Sequence, residues 1–157
     1  MTRLISRLSP LVLMGIHISG RLVRGVTLGV RAMVFAPDGS IFLVKHSYLP
    51  GWHLPGGGVD SRETLRQAVA RELREEGNVT LTAEPELFAV YLNRGPAQRD
   101  HVALYVVRAF TQTPPQPNRE IVDHGFFAPD ALPPETAGAT RRRIAEVVDG
   151  EPLSEFW

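Results

Sequence analysis

The sequence predicts an α+β domain, one sheet with helices packed on it. Three observations carry this reading. From Val26 onward, short apolar runs bounded by Gly, Pro and Asp recur as far as Phe127, the signature of strands. A stretch from Ser61 to Glu76 switches to the 3.6-residue apolar period of a helix, and a second helix is expected over Ala139–Val148. A length of 157 residues, 43% apolar and 22% charged, suits one folded domain and not a disordered chain.

Residues 1–25 form a segment of their own, and the domain is expected to occupy 26–157. Arg3, Arg7, Arg21 and Arg24 flank an uncharged run from Leu8 to Gly20, too short to span a bilayer as a helix. A basic start before an apolar stretch allows a signal peptide or an interfacial membrane helix. Pro10, Gly15 and His17 weaken the signal reading. An amphipathic arm packed on its own domain, or on a second subunit in a homodimer, is the favoured expectation.

Within the domain, Thr27–Phe35 and Ile41–Lys45 read as strands, and the Pro37-Asp38-Gly39 turn between them predicts a hairpin. A loop dense in Gly and Pro runs from Ser47 to Asp60. Asp60 and Glu63 have capping-box spacing, which places the helix start near Ser61. Three further strands are expected at Leu87–Leu92, His101–Phe110 and Glu120–Phe127, followed by the last helix.

Bulk charge narrows the function. Seventeen basic and seventeen acidic residues give zero net charge, so a nucleic-acid polymer is not the expected partner. The absence of cysteine excludes a disulfide scaffold, thiolate metal sites and a cysteine nucleophile, and fits a cytoplasmic protein.

The Ser61–Glu76 helix breaks the usual rules of charge placement. At about 100° per residue, Leu65, Ala68, Val69 and Leu73 share one apolar stripe, and Glu72 and Glu76 fall in its middle, within roughly 20° of Leu65. Glu75 lies at the edge of the stripe. Like charges four residues apart repel, carboxylates in a last turn oppose the helix dipole, and burial adds a desolvation cost. A divalent cation reverses all three penalties. Oxygen ligands of this type suit Mg²⁺ or Mn²⁺.

The segment Gly57-Gly-Val-Asp-Ser-Arg-Glu63, seven residues, then Arg71-Glu72-Leu73-Arg74-Glu75-Glu76-Gly77-Asn78-Val79 resembles the Nudix box. Each fixed position matches except the last glycine, where Asn78 stands; Asn is the next residue to tolerate a left-handed helix exit. The resemblance implies a Nudix-type α/β/α sandwich with a mixed sheet. It also implies a divalent-metal-dependent hydrolase of phosphoric anhydride bonds, a pyrophosphatase for a nucleoside diphosphate linked to another moiety: a nucleotide sugar, ADP-ribose, a dinucleotide or a nucleoside triphosphate. By the same resemblance Glu72, Glu75 and Glu76 are the metal ligands and catalytic carboxylates, Gly56 offers a backbone carbonyl to the metal, and Glu63, Arg71 and Gly57 brace the loop. Glu120 or Asp123 could supply a later acidic group. Arg94, Trp52 and His53 are the substrate-binding candidates, Trp52 by stacking on a base, with Arg99 and His101 near the same loop. Two rivals share the fold. An isoprenoid diphosphate isomerase would need a cysteine, absent here, and a non-catalytic binding module would have lost box carboxylates that this chain keeps.

Overall fold

The computed structural model describes residues 26–94, 100–115 and 119–157; the N-terminal arm and Arg99 lie outside this set. Strands β1 (Thr27–Val34), β2 (Ile41–His46) and β3 (Trp52–His53) precede helix α1 (Leu65–Gly77). Strands β4 (Val79–Leu81), β5 (Glu86–Asn93), β6 (Asp100–Val107), β7 (Phe110–Gln112) and β8 (Ile121–Phe127) follow, then helix α2 (Gly138–Ile144) and a π-helical turn, Ala145–Asp149.

The strands divide among three sheets, ordered β1-β6-β5, β3-β2-β8 and β4-β7, where a single sheet was expected. The first is mixed: β1 runs parallel to β6, and β5 antiparallel to it. Two apolar layers fill the space on either side. One joins Ala68, Val69 and Leu73 of α1 to Val30, Ala32 and Val34 of β1, Phe42 and Val44 of β2, and Tyr105 of β6. The other joins Met33, Leu43, Tyr91 and Leu104 to Ile144 of α2. Helices therefore cover both faces of the strands.

The expected hairpin of the first two strands is not formed. The chain turns at Ala36–Ser40 and one bridge joins Phe35 to Ile41, but the strands then diverge into different sheets. The reason lies in the second edge of β1, which is taken by the glycine loop. Val30 N–H donates to the Gly57 carbonyl (2.9 Å), Ala32 N–H to Pro55 (2.9 Å), and Val59 N–H to Leu28 (3.0 Å). With the Val30 and Ala32 donors taken by the loop, this stretch of the β1 edge is closed to β2.

Helix α1 begins at Leu65, not Ser61. Thr64 is its cap: the Thr64 side chain accepts from Gln67 N–H, and the Gln67 side chain accepts from Thr64 N–H at 2.9 Å. Asp60 and Glu63 instead close a turn just ahead of it, and Arg62, at φ 69°, interrupts the helical path. At the other end Asn78 sits at φ 52° and ψ 32°, the left-handed exit that its side chain tolerates. The last predicted helix is split, α2 passing into the π-helical turn and ending at Gly150.

Candidate metal and active site

The loop paired to β1 and the last two turns of α1 meet face to face. Gly56 has φ 140°, and a Cβ there would run into Val30 and Arg31, so only glycine lets the loop lie this close to β1. Gly56 N–H donates to Glu76 Oε2 at 2.8 Å. At Gly57 an added Cβ would come 2.5 Å from Glu72 Oε1. Two consecutive glycines thus receive two carboxylates spaced one helical turn apart.

Burial separates the three box carboxylates. Glu76 is 4% exposed, Glu72 is half-buried, and Glu75 is exposed. Arg71 binds Glu63 through two parallel bonds of 2.9 Å, and reaches Glu72 Oε1 at 2.6 Å, the Gly58 carbonyl at 2.9 Å and Glu75 Oε2 at 3.5 Å. It ties the helix to the loop while leaving Glu76 to other partners.

Those partners include one that sequence reasoning missed. His46 ends β2 on the helix-facing side, two positions beyond Val44, with its Nε2 3.5 Å from Glu76 Oε1. Ligand atoms of His46, Glu76 and Glu120 lie within 4.8 Å of one another. Both ring nitrogens of the buried His46 lack a hydrogen-bond partner, an arrangement that costs free energy unless a further ligand arrives. Burial pushes Glu76 up to about 8, with the charge of Arg31 and the Gly56 N–H opposing and Glu72 and Glu120 adding to the rise. Burial likewise pushes Glu72 up, against the hydrogen bond and charge of Arg71. His46 is held down to about 4 by burial, then by the charges of Arg31 and His53. Each shift favours the uncharged form, and a divalent cation among these atoms would instead stabilise the ionised carboxylates and the neutral imidazole. The donor set therefore fits a cation.

Glu120 is held over the cluster by the β2–β3 loop. Ser47 N–H donates to the Glu120 carbonyl (2.8 Å), Ser47 Oγ to the Arg119 carbonyl (2.9 Å), and Tyr48 Oη to Glu120 Oε1 (2.7 Å). Asp123, the other late acidic candidate, pairs in register with Lys45 and accepts from His124 N–H, outside the cluster.

The substrate-binding candidates do not converge. Trp52 is a core residue, 9% exposed and edge-on to Phe127 at 4.9 Å, so it has no open face for a base. Arg94 lies over the Phe156 ring at 3.4 Å, committed to the C-terminal tail. His101 sits on β6 opposite Leu28 and Leu92. Of the described candidates, His53 borders the cluster, its ring 5.9 Å from that of His46. The sequence signal for His46 was its parity with Phe42 and Val44, which puts it on the face turned to α1.

The family model for the NUDIX domain matches residues 25–148. The chain belongs to the Nudix family. It is 37% identical over 83 residues to Nudix hydrolase 27, chloroplastic, of Arabidopsis thaliana, covering 48% of this chain and 37% of that protein. It is 40% identical over 52 residues to an RNA pyrophosphohydrolase of Hydrogenovibrio crunogenus, covering 33% of this chain and 32% of that one. The chain thus spans about a third of the length of these curated relatives. Among solved structures, a MutT NUDIX hydrolase from Burkholderia pseudomallei aligns over 80% of this chain and all of its own, at 30% identity and a TM-score of 0.69. The Nudix box therefore spans the glycine loop, α1 and the left-handed exit at Asn78.

Proposed function

We propose that the chain is a divalent-metal-dependent pyrophosphohydrolase acting on a nucleoside diphosphate linked to another moiety. One observation carries the reading: Glu72 and Glu76, a helical turn apart on the buried stripe of α1, face Gly57 and Gly56, with an unsatisfied His46 and with Glu120 beside Glu76. Glu72, Glu76 and Glu120, aided by the Gly56 carbonyl, hold Mg²⁺ or Mn²⁺; the imidazole of His46 favours Mn²⁺ over Mg²⁺. When bound, the cation would offset the charge of the diphosphate and make the attacking water more acidic.

The protein's own residues then position the reaction. Arg71 and Glu63 lock the loop against α1. Glu75, exposed at the edge of the same helix, orients the attacking water. Water oxygen bonds to one phosphorus, the bond from that phosphorus to the bridging oxygen breaks, and the released proton passes to a carboxylate of the cluster. The cysteine-free composition supports a cytoplasmic setting.

The test is a panel of ADP-ribose, dinucleoside polyphosphates, nucleotide sugars and nucleoside triphosphates, assayed with Mg²⁺ and with Mn²⁺. Turnover of at least one member, abolished by chelation, is the expected result. Cation binding without turnover of any member would replace the enzyme by a binding module.

A further inference from the structure

An arginine stands in the middle of the apolar run of β1. Arg31 is flanked by Val30 and Ala32, whose N–H groups fasten the glycine loop. An ideal Cβ on Gly56 would lie 2.9 Å from Arg31 Cα, so the backbone of Arg31 backs directly onto the residue that binds Glu76. Val30 and Ala32 point into the layer under α1. Arg31 leaves the strand on the opposite face, half-buried, and its Nη1 donates to the Leu54 carbonyl at 2.8 Å. That bond uses one of five N–H donors. Among the described residues no carboxylate forms an ion pair with it. Its charge nonetheless reaches Glu76, His46, His53 and Tyr48, in each case as a contribution smaller than burial.

A cation in this position opposes the proposed function of the site unless something else joins it. A half-buried guanidinium beside a divalent cation suffers like-charge repulsion in a low-dielectric setting. Once that cation has neutralised Glu76, no carboxylate ion-paired to Arg31 among the described residues balances its charge. An anion placed between the two restores the balance, and the guanidinium fork matches a pair of phosphate oxygens better than any other side chain does. The Leu54 carbonyl fixes the plane of the fork in advance.

We propose that Arg31 is a substrate-binding residue that grips the diphosphate from the β1 side, opposite the carboxylates of α1, and that it makes the site selective for two linked phosphoryl groups over one. This rests on the hydrolase reading, because the diphosphate is its substrate. Each phosphoryl group then has its own holder, the cation cluster for one and Arg31 for the other.

The experiment compares wild type with Arg31→Gln and Arg31→Lys in two binding measurements. Mn²⁺ alone is titrated by the loss of its free electron paramagnetic resonance signal. Inorganic pyrophosphate and inorganic phosphate are titrated calorimetrically with Mg²⁺ present. In Arg31→Gln, Mn²⁺ is expected to bind a few-fold more tightly, because a repelling charge is gone, while pyrophosphate binds roughly ten- to a hundredfold more weakly. Phosphate affinity should change much less. Arg31→Lys, which keeps the charge but not the fork, should hold Mn²⁺ at the wild-type level and recover part of the pyrophosphate affinity. It also keeps a donor for Leu54, so it reports even if Arg31→Gln fails to fold. Unchanged pyrophosphate affinity in the variants, or Mn²⁺ and pyrophosphate weakening together, would reduce Arg31 to a brace for Leu54 and overturn the proposal. Wild type that binds Mn²⁺ and pyrophosphate but turns over no member of the substrate panel would overturn the hydrolase reading instead.

Discussion

Two glutamates are buried in this protein to nearly the same extent, and their surroundings could hardly differ more. Glu146, at 7% exposure, has its needs met within the chain: Arg143 donates to Oε1 at 2.6 Å, Ser154 N–H to Oε1 at 3.0 Å, and Tyr91 Oη to Oε2 at 2.8 Å. Arg143 in turn donates to the Phe156 carbonyl and stacks over Tyr91 at 4.2 Å, so the group pins the C-terminal tail to α2 and β5. Glu76, at 4% exposure, has one backbone N–H and an imidazole without a hydrogen bond, and burial drives it toward protonation. Burial of a charge does not mark function by itself. A buried charge whose partners are incomplete does, because folding alone gives no reason to tolerate it.

The contrast breaks most sharply at Glu146. Glu146→Ala leaves Arg143 buried and unpaired, and a loss of about 3–5 kcal/mol in unfolding free energy is expected. Denaturant titration measures it. Cation affinity in the folded fraction should not move; if it falls along with stability, the two clusters are not separable. Glu76→Gln is the complementary case. Turnover is expected to fall about a hundredfold or more, the scale of losing a key electrostatic group, with the melting temperature unchanged or raised because an unbalanced carboxylate is gone. Near-normal turnover would remove Glu76 from the site.

What could be read from the sequence follows the same line. Glu72 and Glu76 were legible because helical periodicity is regular enough to show a charge on the wrong face. The glycines were legible only through the resemblance to the Nudix box, which assigns Gly56 and Gly57 their places beside Glu63 and Arg71. Arg31 interrupts an apolar strand run, but a single polar residue in a strand does not by itself mark a site, so it was passed over in the sequence reading. His46 and Glu120 were harder. Glu120 lies about 40 residues past the box, and only the antiparallel pairing of β2 with β8 brings His46, at the end of one strand, beside the start of the other. The missing hairpin has a similar cause: turn chemistry at Pro37–Gly39 is local, whereas the competitor for the edge of β1 is a loop some 25 residues on. Trp52 stood open between pocket and core, because its place just ahead of the box does not say which way its ring turns; the structure puts it in the core.

Tyr48 tests how firmly the site is held from the β2–β3 loop. Tyr48→Phe removes one bond to Glu120 Oε1 and leaves both Ser47 bonds to the backbone. A hydrogen bond to a charged group on an exposed loop supports a loss of about three- to tenfold in Mn²⁺ affinity, seen by titration of the free ion, with the melting temperature unchanged. Wild-type affinity would mean that the Tyr48 bond is not needed to position Glu120.

The smallest effect expected comes from the brace between loop and helix. The hydrogen bonds of Arg71 come first among the causes that hold the Glu63 carboxyl below its ordinary value, and burial opposes them. A carboxylate with a depressed folded-state pKa stabilises the protein above its unfolded value near 4.5, and that contribution is lost as pH falls through the folded value. Acid unfolding of the metal-free protein should therefore have a component below about pH 4.5 that Glu63→Gln removes, while stability near neutral pH falls in the variant because Arg71 loses its paired contacts. Melting curves across the acid range, taken on wild type and variant in chelator, measure both. Parallel curves with no change of slope would show that Arg71 holds the loop through the Gly58 carbonyl and Glu72 without needing the charge of Glu63.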